Sequence, residues 1–155
     1  MVQQQHRFGE PVYDAYHSDE KLPEPTRCPE CGASFMEGRW SWKAAPKDAF
    51  EHFCPACMRI KDAFPAGYVT LKGAFVSEHR DELLSLIHAR EEREKAQHPL
   101  ERLLAIQDTA EGIQVTTTGN HLARGIAHAL QEAYKGKVNL RYSQEDNLIR
   151  ATWTR

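Results

Sequence analysis

The sequence predicts an α+β fold: an N-terminal ribbon built on cysteines, a linking helix, and a small antiparallel ββαββ domain. Three observations lead to it. The four cysteines form two C-x-x-C pairs, Cys28/Cys31 and Cys54/Cys57, separated by residues 32–53. Residues 77–99 are rich in charge and carry helix-start and helix-stop signals. Residues 100–155 alternate β-rich runs with one segment of helical periodicity. A chain of 155 residues is one ordinary domain or two small ones.

Residues 1–27 read as an extended arm. Pro11, Pro23 and Pro25 punctuate it, and no periodic pattern runs through it. Phe8, Val12, Tyr13 and Tyr16 are apolar enough to dock on a partner.

Residues 28–76 read as a zinc ribbon. Zinc takes four soft ligands in a tetrahedron, with sulfur about 2.3 Å from the metal. One C-x-x-C turn supplies two thiolates from a single bend, and two turns close the shell. Cys28, Cys31, Cys54 and Cys57 are therefore the expected ligands, with no position left open for catalysis. Gly32 follows the first pair, where such a turn requires positive φ. A redox dithiol would sit in a βαβ context, which is absent from this pattern. His52 is a weaker substitute ligand, because four thiolates already fill the tetrahedron. Residues 39–43 alternate, placing Trp40 and Trp42 on one face of a strand, and residues 51–53 lead back to the second pair. So small a unit buries little, and the metal is expected to supply much of its stability, about 10–16 kcal/mol in small peptides. A turn over 60–67 and a short strand over 68–73 complete it.

Residues 77–99 form the linking helix. Ser77 is the expected cap, and Glu78, Asp81 and Glu82 suit the positive N-terminal end. Leu83, Leu84, Leu86 and Ile87 make a short apolar patch. Beyond it the segment is almost wholly charged, with Arg90/Glu94 and Glu91/Lys95 at i,i+4 spacing. It serves as a spacer or docks by its first half alone, and His98-Pro99 ends it.

Residues 100–155 form the ββαββ domain. The strands are expected over 100–108, 113–118, 138–142 and 148–153. Between the second and third, Leu122, Ile126, Leu130 and Ala133 recur at helical spacing. Thr118 or Asn120 is the expected cap, and Gly136 the stop. Val138, Leu140 and Tyr142 share one strand face, so Asn139 and Arg141 point the other way.

The runs Cys54-Pro55-Ala56-Cys57-Met58-Arg59-Ile60-Lys61-Asp62-Ala63-Phe64-Pro65-Ala66-Gly67 and Ile113-Gln114-Val115-Thr116-Thr117-Thr118, the latter followed by His121-Leu122-Ala123-Arg124, resemble the ribosomal large-subunit export adaptor family, the nonsense-mediated-decay protein three family. The likeness, to a short bacterial or archaeal-type relative, covers roughly residues 28–153. It implies a zinc-ribbon protein seated on the large ribosomal subunit. The additional cysteine pairs and C-terminal domains of longer members are missing from this sequence, so the resemblance extends to docking rather than export.

Charge narrows the function. The chain has formal net charge −2, which argues against a bulk basic nucleic-acid binder. That total conceals a net +3 over residues 113–155 behind a net −4 over 77–112. Two surfaces are candidates for RNA: Arg39, Lys43, Lys47, Arg59 and Lys61 in the ribbon, and Arg124, Arg141 and Arg150 in the C-terminal domain. Lys135 and Lys137 flank a helix C-terminus, where cations are favourable in any case. The eight histidines form no H-E-x-x-H pattern, and neither a phosphate loop nor a nucleophile elbow occurs. The expectation is a non-enzymatic zinc-ribbon protein that binds the large ribosomal subunit or structured RNA. The alternative is a zinc-stabilised protein adaptor using the acidic helix or the N-terminal arm, and a third reading is a thiolate redox switch. No stretch reaches the roughly 18–20 apolar residues that span a bilayer. An N-terminus without an apolar signal core, and cysteines at metal spacing, favour the cytoplasm.

Overall fold

The computed structural model describes residues 22–155. Most of the expected arm, residues 1–21, lies outside the described residues. The described chain is mixed α and β, with two small sheets and four helices.

The first sheet is built from β1 (Thr26–Arg27), β2 (Ser34–Met36), β3 (Arg39–Ser41) and β4 (Phe50–Glu51), in the order β3-β2-β1-β4. Its strands are two or three residues long, too short to bury a core of their own. Trp40 packs inward, its ring 5.5 Å from that of Phe35. The other expected aromatic, Trp42, is exposed, and its Nε1 donates to the Lys95 carbonyl at 2.6 Å. A short helix, α1 (Pro55–Asp62), follows β4.

The second sheet holds β5 (Gly67–Lys72), β6 (Leu103–Thr109), β7 (Gly112–Thr117), β8 (Lys137–Ser143) and β9 (Leu148–Thr154), in the order β6-β7-β5-β9-β8. This corrects the expected ββαββ unit. Its four strands are present, but β5 inserts at the centre, antiparallel to β7 and parallel to β9, so the sheet is mixed. The reason is burial. Tyr68-Val69-Thr70-Leu71-Lys72 alternates, and Val69 and Leu71 are completely buried. The two- and three-residue strands of the first sheet offer no apolar surface large enough to cover them.

The helical segment before β6 also differs from expectation. It is two helices, α2 (Ala74–Glu78) and α3 (Arg80–Gln97). Ser77 lies inside α2, where its hydroxyl donates to the Ala74 carbonyl rather than capping α3. Leu83 and Ile87 enter the main core, and α3 packs on α4 (Asn120–Tyr134), so it is not a free spacer. Of the two expected ion pairs, Arg90–Glu94 forms at 3.3 Å, whereas Glu91 instead accepts from the Leu103 backbone N–H.

α2, α3 and α4 cover one face of the five-stranded sheet. Val69, Leu71, Ile113, Val115, Ile149, Ala151 and Trp153 meet Leu83, Ile87, Leu122, Ile126 and Leu130 there. The buried Trp153 indole keeps its polar atom satisfied by donating to the Lys135 carbonyl at 2.7 Å.

Candidate functional site

The two cysteine pairs reach one point by different local devices. Cys28 and Cys31 lie in the turn between β1 and β2, which is closed by Gly32 N–H to Cys28 O at 2.9 Å and Cys28 N–H to Ala33 O at 2.8 Å. Gly32 has φ 82°, the conformation the sequence required of it. Cys54 and Cys57 begin α1. Cys54 is its N-cap, its Sγ accepting from the Cys57 N–H at 3.4 Å, and Pro55 occupies the first turn. Helix N-termini favour negative sulfur.

The four Sγ atoms all lie within 4.8 Å of one another. All four cysteines are free thiols, and Cys31 Sγ is 3.8 Å from Cys54 Sγ, well outside disulfide bonding distance. Sulfurs 2.3 Å from a central tetrahedral ion would stand about 3.8 Å apart. The donor set therefore fits a metal ion, and Cys28, Cys31, Cys54 and Cys57 are the residues that would hold it.

The surroundings act on the sulfurs in opposite directions. Burial pushes the Cys28 thiol up, but the backbone N–H groups of Cys54, Cys31 and Glu30 outweigh it and bring it down to about 7. Burial raises Cys54 and Cys57, against the Cys57 backbone N–H at the first and Arg102 at the second. Sequence reasoning missed Arg102. Its Nη2 donates to Cys54 Sγ and to Cys57 Sγ, each at 3.1 Å, and the residue is only 8% exposed. Burial alone would lower the guanidinium, but its hydrogen bond to Cys57 and the nearby cysteine charges hold it up, so it stays protonated. Four thiolates around a divalent ion leave a net charge of −2, and Arg102 halves it. No spacing rule announces an arginine 45 residues from the second cysteine pair in an acidic stretch.

Arg102 also anchors a corner of the main sheet. Its N–H donates to Thr118 Oγ1 at 2.9 Å, and its carbonyl accepts from Thr118 N–H at 2.8 Å. Glu101 beside it takes the role expected of Thr118 or Asn120. Gly119 is the N-cap of α4 without a side-chain bond, and the Glu101 carboxylate accepts from Leu122 N–H at 3.0 Å. A Cβ at Gly119 would overlap that carboxylate. Burial raises the Glu101 carboxyl, against the Leu122 N–H and the charge of His121. The fold thus favours the protonated acid, and its stability contribution falls as pH rises from the unfolded value through the folded one. Carbon-13 titration of Glu101 should give a midpoint above that of a glutamate in an unstructured peptide. A midpoint at or below the peptide value would remove this assignment.

The expected RNA-contact residues separate into groups. Arg39, Lys43 and Lys47 are exposed around the first sheet, Lys43 with Glu37 at 3.9 Å. Arg59 is a correction: it is buried, and its Nη1 donates to the Phe64 carbonyl at 3.1 Å, which suits a structural role. Lys61 lies over the Phe53 ring at 4.4 Å. Arg124 is exposed on α4, in the helical layer. Arg141 and Arg150 are exposed cross-strand neighbours on the face of the sheet opposite the helices. His52 is exposed, with Nδ1 against the Phe53 carbonyl, and is not in the cysteine cluster.

No protein-family model and no curated protein matches this sequence.

Proposed function

We propose that this chain is a non-enzymatic zinc-ribbon protein of the cytoplasm that binds the large ribosomal subunit through its RNA, as its resemblance to the large-subunit export adaptor family implies. Zinc is the ion that best suits four thiolates in a closed tetrahedral site, and it leaves no open position for chemistry. Its role is to hold the small sheet together and against the body of the protein.

One observation carries the RNA reading: the arrangement of charge on the five-stranded sheet. Arg141 and Arg150 stand directly opposite each other on β8 and β9. Like charges in that position are destabilising. An anionic partner would relieve the repulsion. The protein-adaptor alternative has less to work with, because Glu91 and Glu94 of the acidic helix are engaged inside the fold by Leu103, Arg90 and His121.

Co-sedimentation with purified large subunits over a salt series tests the proposal. Binding should weaken as salt rises, and Arg141→Ala with Arg150→Ala should flatten the log–log slope by about 1.4, or 0.7 per single-strand phosphate contact. Binding that ignores salt, or an unchanged double variant, would transfer the case to a protein partner.

A further inference from the structure

Resting on the RNA reading, we infer that the open face of the five-stranded sheet is a platform for single-stranded RNA, with Arg150 stacked over Tyr68 as the post on which a base rests. Strand register places three cross-strand rows on this face: Thr109, Gly112, Lys72, Thr154 and Lys137; then Gln107, Gln114, Thr70, Thr152 and Asn139; then Ala105, Thr116, Tyr68, Arg150 and Arg141. Not one of the chain's 22 acidic residues falls in them, while four basic residues do. The chain as a whole is acidic, so this sorting is specific to the face. Lys72 is paired with Glu111 of the β6–β7 turn at 3.0 Å. Lys137, Arg141 and Arg150 have no ion-pair partner among the described residues.

The face favours an unpaired strand over a duplex. Helices α2–α4 lie on the opposite side, and the three rows consist of strand residues alone. A duplex would offer it phosphates and the 2′-hydroxyls of its shallow groove, but its base faces are stacked away inside the helix. A single strand also offers base faces and base edges. The Arg150 guanidinium carbon is 4.3 Å from the Tyr68 ring centroid, and Arg150 is exposed, so its outer side is open to a base. Gln107, Gln114 and Asn139 in the middle row make no side-chain hydrogen bond among the described residues and carry the donors and acceptors that base edges match.

Fluorescence anisotropy of the full, metal-loaded chain provides the test, using an oligouridine of about 15 nucleotides and an adenine–uracil RNA duplex of equal length. The single strand should bind at least about tenfold tighter than the duplex. Arg150→Lys keeps the charge but loses the planar guanidinium. It should weaken single-strand binding about 5- to 100-fold with the salt slope unchanged. Tyr68→Leu, which removes the ring beneath, should act in the same direction. Circular dichroism and metal content confirm that each variant is folded. Equal affinity for the two RNAs, with both variants binding as the parent does, would overturn the platform and leave phosphate-driven ribosome docking intact. Absence of binding to either RNA, together with salt-insensitive ribosome co-sedimentation, would overturn the RNA reading beneath it.

Discussion

Removing the metal, by chelation or by Cys54→Ser, should collapse β1–β4 and α1 while most of the five-stranded sheet survives. The small sheet has little else to hold it. Its buried apolar set is three of the cysteines and Ala56, flanked by Cys31, Trp40, Phe53 and Leu100. A structural zinc site contributes about 10–16 kcal/mol in small peptides, far above what so few contacts provide. The main core, from Val69 to Trp153, contains no cysteine. Elemental analysis of the purified protein should find one zinc per chain. After chelation, far-ultraviolet circular dichroism should retain most of its helical signal, while Trp40 fluorescence shifts to that of exposed indole. A folded, metal-free small sheet at neutral pH would sink the prediction from one side, and complete loss of the helical signal from the other.

Replacing Arg102 by Met should lower metal affinity about 10- to 100-fold, the usual effect of deleting a hydrogen bond to a ligating group. The cause is electrostatic. Arg102 donates to the sulfurs of both Cys54 and Cys57, and without it the buried cluster keeps its full negative charge. Competition with a chromophoric chelator measures the affinity. Cobalt substitution should meanwhile show the thiolate charge-transfer band of four sulfurs in both proteins, separating a weakened site from a lost ligand. Affinity equal to that of the parent would mean that the guanidinium packs there without serving the metal. Because Arg102 and Glu101 also hold Thr118 and the start of α4, chelation should speed amide exchange at Thr118 and Leu122 more than at residues deep in the core.

The cysteine cluster was legible in the sequence because C-x-x-C spacing is a local property that one tight turn or one helix start satisfies. The amphipathic period of α4, the alternation of β8 and the strand-forming runs of β7 and β9 were legible for the same reason, as was the outward direction of Arg141. Everything decided by long-range pairing was not. β5 reads as a lone short strand, and nothing within its six residues says that it will divide β7 from β9. Glu101 caps α4 from 21 residues upstream, so the search for a local capping side chain at Thr118 or Asn120 found the wrong group. Arg59 looks like a surface cation beside Lys61, yet its position on α1 turns it inward. Arg102 has no local signature at all, since its purpose is fixed by sulfurs 45 and 48 residues earlier.

The place of β5 has a consequence for how the protein is made. β5 leaves the ribosome early, yet one of its two neighbours, β9, pairs Thr70 with Thr152. At a translation rate of 5–20 residues per second, roughly 4–16 s separate the two strands. Once β7 has followed it can cover one side of β5, but until β9 is made the other side presents unpaired backbone groups next to Val69 and Leu71. Such an edge is a template for pairing with another chain. Nascent copies on neighbouring ribosomes are therefore most exposed to one another during this window, and β9 closes it by completing both the edge and, through Trp153, the core beneath.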